Sequence, residues 1–74
     1  MTESEKAFMK EYIAKNLISL IVEKYNYPID TAFDILYNSE TFLKLSDDRT
    51  GLYFQSPNYV FTYLDNEITT GKLM

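Results

Sequence analysis

Between the start of the chain and Pro28 there is neither glycine nor proline, so more than a third of this 74-residue polypeptide contains nothing that would interrupt a helix. Thr2-x-x-Glu5 opens the stretch in the form of a capping box, with a side-chain acceptor for the third amide and a carboxylate that reaches back. The pattern predicts one helix over about residues 3–25, roughly 35 Å long. The remainder of so short a chain must arrange itself around that rod. Phe8, Met9, Tyr12, Ile13, Leu17, Leu20 and Ile21 recur at three- and four-residue steps, and Ala14, Ile18, Val22 and Tyr25 line an adjoining face. A helix this apolar around its circumference either lies centrally among its own neighbours or meets another chain. Glu11 to Lys15 marks the strip left for water.

Asn26-Tyr27-Pro28 predicts a break, because the residue before proline avoids helical backbone and proline suits only the first turn of the next helix. A second helix then reads from Ile29, Ala32, Phe33, Leu36 and Tyr37, spaced i, i+3, i+4, i+7 and i+8, with an end expected near Asn38. Ser39 can cap a short third helix through Phe42, Leu43 and Leu45. Ser46 to Gly51 is dense in turn formers and is the main loop candidate. Leu52-Tyr53-Phe54 is apolar but too short to assign. Ser56-Pro57 then starts a last helix over about 57–69, with Val60, Tyr63, Leu64 and Ile68 inward and Gly71-Lys72 as its stop. The expected fold is all-α: a small bundle of three main helices plus one short helix in a single domain, 1–74, the first helix packing on the second and fourth.

A chain of this size buries only ~60% of its unfolded surface, enough for one small core and hardly for a deep cleft. It has no Cys, His or Trp, which removes the thiolate nucleophile, the usual general base and the commonest metal ligand. The expectation is a protein that is not an enzyme and uses no cofactor or metal. Residues 1–25 balance four Lys against four Glu, so the net charge of -4 belongs to the C-terminal two thirds. That sign disfavours nucleic acid and anionic membranes alike, since affinity for phosphate rests on cations. The start, Met1 to Glu5, is acidic where a secretory leader is basic, and no apolar run is long enough to cross a bilayer. The expected location is cytoplasmic.

Asp47-Asp48 is the only acidic cluster that invites a metal. If Ser46 opened a calcium loop, Gly51 would fall at its sixth position, but the twelfth would be Pro57, which has no ligating side chain. Solvated turn carboxylates, with Arg49 as a local partner, are the simpler reading. The twelve aromatic residues could suggest base stacking. Yet Tyr53, Phe54, Tyr59, Phe61 and Tyr63 have no cation among them from Arg49 to Lys72. They read as core and interface residues instead. The second and third helices could be mistaken for a helix-turn-helix. The would-be reading helix, Ser39 to Ser46, offers only Lys44 as a cation and spends Phe42, Leu43 and Leu45 on burial. The two glycines, Gly51 and Gly71, make no phosphate loop.

Several features occur in a suggestive order: Glu23-Lys24-Tyr25-Asn26 closing a long helix, Ala32-Phe33-Asp34-Ile35-Leu36 in the next, Leu52-Tyr53-Phe54-Gln55-Ser56 before Tyr59-Val60, and Leu64 in a closing helix. This order resembles a family of small bacterial helical proteins of unknown function. In that family the segment like Leu52 to Ser56 usually reads Leu-His-Thr-Gln-Gly, and some members are encoded beside toxin-like genes and are suspected antitoxins. Here Tyr53 stands for the His and Phe54 for the Thr. The resemblance implies an all-α fold and a protein partner, with Leu52, Tyr53, Gln55 and Tyr59 as the matching surface.

Together these readings predict a non-catalytic protein-protein interaction module, antitoxin-like or an adaptor, whose surplus of apolar surface favours self-association as a homodimer. Its candidate interface is Ile18, Val22, Leu52, Tyr53, Gln55, Tyr59 and Tyr63. The alternative is a small DNA-binding transcriptional regulator. A small-molecule binder comes third.

Overall fold

The computed structural model describes residues 2–71; Met1 and Lys72, the latter expected to complete the terminal stop, lie outside them. The fold is all-α. Its helices are α1 (Glu3–Tyr25), α2 (Ile29–Tyr37), α3 (Glu40–Ser46) and α4 (Pro57–Thr70). Two 3₁₀ turns, Asp48–Thr50 and Leu52–Phe54, join α3 to α4, and there is no strand among the described residues.

The helix ends follow from local chemistry. Thr2 and Glu5 form the capping box: the Glu5 amide donates to Thr2 Oγ1 at 3.1 Å and the Thr2 amide to Glu5 Oε1 at 2.8 Å. Asn26 stops α1 in the left-handed region, φ 58°, with its amide on the Val22 carbonyl. Ser39 lies between α2 and α3 and serves both. Its hydroxyl donates to the Leu36 carbonyl and accepts from the Phe42 amide. Ser56 accepts from the Tyr59 amide ahead of Pro57, and Gly71, at φ 80°, closes α4.

The core gathers on α1. Ile13, Leu17 and Ile21, four residues apart, bury together with Ala14 and Ile18 from the adjacent row. Ala32 and Leu36 of α2 pack against them, as do Leu45 of α3, Leu52 and Tyr53 of the second turn, and Val60 and Leu64 of α4. The stripe on α1 is double because α2, α4 and the Leu52–Phe54 turn all pack against this one helix.

This corrects part of the expected interface. Ile18, Leu52 and Tyr53 are buried within the chain's own core, since α1 is covered by its own neighbours and not by a second molecule there. Conversely, Phe8 and Tyr12, expected in the inner stripe, are exposed, with Phe8 69% open. They lie on the side of α1 turned away from its buried rows. Leu43 is 68% exposed while Leu45, two residues on, is fully buried, so α3 spends less on burial than its composition suggests. In α2 only the Ala32–Leu36 row is buried; the neighbouring row Ile29, Phe33 and Tyr37 stays 62%, 42% and 48% exposed.

Candidate interaction surface

The acidic turn accounts for itself internally. Arg49 donates to both carboxylate oxygens of Asp47, at 3.0 and 2.8 Å, and holds that carboxyl down at about 2. Asp48 accepts from Lys10 at 2.5 Å and Lys6 at 3.2 Å, and these ammonium groups lower its pKa in the same way. Lys10 also donates to the Ser46 carbonyl and sits over the Tyr53 ring, 5.6 Å from its centroid. The turn is thereby pinned to α1. Among the described residues no three His, Cys, Asp or Glu side chains form a metal-binding group.

At the other end of α1, Lys24 and Tyr25 both reach Asp65 of α4, Lys24 Nζ at 2.5 Å and the Tyr25 hydroxyl donating to the second oxygen. Lys24 first, then Tyr25, lowers the pKa of Asp65. The same hydrogen bond, with burial, pushes the Tyr25 phenol up to about 12. The signs give two arms of pH dependence. Asp65 is depressed, so its contribution is complete above the ordinary carboxylate range near ~4 and is lost as pH falls through its lowered value. Tyr25 is raised, so its contribution is complete below the ordinary phenol value near ~10 and is lost as pH climbs through about 12. In an absorbance titration of the seven tyrosines, a step near pH 12 is expected and should vanish in Tyr25→Phe. A titration finished by about pH 11 in the native chain, unaltered by the substitution, would contradict this assignment.

One open apolar surface lies between α1, α2 and α3. There a groove of about 330 Å³ has Ala14 and Ile18 at its base and Phe33, Tyr37 and Phe42 along its wall. The wall is one aromatic assembly: Phe33 stacks on Tyr37 at 5.8 Å between centroids, and Phe42 meets Tyr37 edge-on at 4.7 Å. Glu11 and Lys15 of α1 form the opposite rim. The row Glu11, Lys15, Ile18 continues to the half-buried Val22, at i, i+4, i+7 and i+11.

Of the seven interface candidates, Ile18 and Val22 therefore belong to this side, Ile18 as groove base. Gln55 and Tyr59 are exposed and Tyr63 is half-buried, but they lie on or just before α4 and do not line this groove. Tyr59 and Tyr63 pair with each other, hydroxyl to hydroxyl at 2.9 Å, and the hydrogen bond raises the pKa of Tyr63. The structure does not join the seven into one surface. Phe33, Tyr37 and Phe42 escape sequence reasoning because their spacing reads as core; the available signal is that α2 carries two adjacent apolar rows, of which one helix neighbour can cover only one.

No family model, curated protein or solved structure matches this chain. Among the described residues no helix is long and apolar enough to cross a membrane.

Proposed function

We propose that this chain is a small helical bundle acting as a non-catalytic protein-binding module, adaptor or antitoxin-like in role, whose contact face is the aromatic groove between α1, α2 and α3. The observation that carries this reading is the row Ile29, Phe33 and Tyr37, left open beside Phe42 in a chain whose core is already complete. Exposed aromatics in contact with one another, next to a shallow apolar groove, are the composition of a contact core between proteins. The groove is open, so it suits side chains from another polypeptide better than a ligand that needs enclosure. DNA reading finds less support: the exposed positions of α3 include Glu40 and Leu43 beside Lys44.

The test is photo-crosslinking in cells with p-benzoylphenylalanine placed at Phe33 and, as control, at the exposed Asn58 of α4. A protein adduct of discrete mass is expected from position 33 and not from 58, and should be lost when Tyr37→Ser is added. Equal labelling at both positions, or none at 33, would overturn the reading.

A further inference from the structure

We infer that the partner seated in the groove is a second copy of this chain, related by a two-fold axis along the groove that sets Lys15 of each copy against Asp34 of the other. This rests on the groove being a protein-binding face, and it goes further by naming the occupant. The α1 rim carries an unpaired cation, Lys15, one turn after Glu11, and the α2 side carries unpaired carboxylates. Among the described residues Lys6, Lys10, Lys24 and Arg49 are each in an ion pair, whereas Lys15, and Lys44 on α3, are in none. On the far side of Phe33 and Tyr37, the exposed Asp30 and Asp34 are likewise in no ion pair, Asp30 accepting only the Thr31 amide.

An apolar strip with a free cation on one side and free carboxylates on the other restricts what fits. An acidic helix would satisfy Lys15 and set like charge against Asp30 and Asp34; a basic helix would do the reverse. A second copy, turned over about the groove axis, exchanges the rims and matches both at once. α2 follows α1 after the break at residues 26–28, and its Phe33 and Tyr37 line the same groove as Ala14, Lys15 and Ile18. Glu11, one turn before Lys15, is the one rim group of the wrong sign.

The contact is small. A standard interface takes ~800 Å² per partner, about one-sixth of the 4825 Å² here. Nine residues of α2 span only ~14 Å. The dimer is therefore weak and concentration-dependent.

Sedimentation equilibrium from about 5 μM to about 1 mM tests it. The average mass should climb from 8.7 kDa toward twice that value. Each contact occurs twice, so Lys15→Glu should raise the dissociation constant about tenfold, as should Asp34→Lys. The double variant should recover the native value, since the rims merely trade signs, and Glu11→Gln should tighten the pair. Both charge sites are exposed, so circular dichroism should be unchanged. A single 8.7 kDa species up to the highest concentration, or a dimer indifferent to both reversals, overturns the inference. The crosslink at position 33 separates the two claims. An adduct of two copies supports both, one with a different protein retains the module and ends self-pairing, and no adduct ends both.

Discussion

Leu17→Ala is expected to cost about 3 kcal/mol, a large share of everything that holds this chain folded. Leu17 lies midway along α1 with no exposed surface, in line with Ile13 and Ile21 and with α2 and α4 packed on the same helix. Truncating it removes about three carbons from the one place all the core elements share, and α1 is too long and too continuous to bend into the space. At ~0.05–0.15 kcal/mol per residue, a 74-residue domain holds only ~4–11 kcal/mol in total. Each kcal/mol corresponds to ~4–8 °C in midpoint for a domain of this size. The internal control is Leu43→Ala, the same chemical change at a residue 68% exposed, which should move stability by no more than ~0.5 kcal/mol. Thermal and urea unfolding followed by circular dichroism measure both. Equal effects at Leu17 and Leu43 would mean the core is not centred on α1.

That contrast marks where sequence stops being informative. The helix ends were legible because caps are relations across three residues: Thr2 with Glu5, Ser39 with Phe42, Ser56 with Tyr59. The identity of the inner row was not. In α2 the rows Ala32–Leu36 and Ile29–Phe33–Tyr37 are both apolar and differ by less than a quarter turn, so only the position of α1 selects between them. The same holds on α1, where Ile18 reads as surplus until α2 covers it and Phe8 reads as core until nothing does. Arg49 as the local partner of Asp47 could be read from spacing; Lys6 and Lys10 on Asp48, about forty residues away, could not. Large apolar side chains do stay exposed, but they include Phe8, Ile29, Phe33, Tyr37 and Leu43 and not Ile18, Leu52 and Tyr53. Composition fixes the amount of such surface more readily than its address, since burial depends on contacts between distant segments.

The second large effect comes from a residue with no sequence signature at all. Glu67, on α4, reaches the N-terminus of α3: Oε2 accepts from the Glu40 amide at 2.7 Å, and Oε1 accepts from the Thr41 amide at 3.1 Å and the Thr41 hydroxyl at 2.8 Å. With Ser39 taking the Phe42 amide, the first three donors of α3 are all satisfied, two of them by a carboxylate that also opposes the positive end of the helix. A seven-residue helix does not stand alone, so α3 depends on this hook and on the burial of Thr41 and Leu45. Glu67→Ala leaves the Thr41 hydroxyl, at 0% exposure, without its acceptor, and an unsatisfied buried group costs ~1–3 kcal/mol. With two helix donors released as well, the expected loss is about 2–3 kcal/mol, and about half of that for Glu67→Gln, which keeps one carbonyl oxygen but turns donors toward donors. The exposed Glu23→Ala, by comparison, should fall within ~0.5 kcal/mol. Amide hydrogen exchange should locate the damage, with Thr41 and Phe42 losing protection well before Leu17. Because α3 delivers Phe42 to the edge of Tyr37, the same substitution should weaken the proposed contact at the groove without touching a groove residue. Unchanged exchange at Thr41 in Glu67→Ala would show that α3 is held by its apolar face alone.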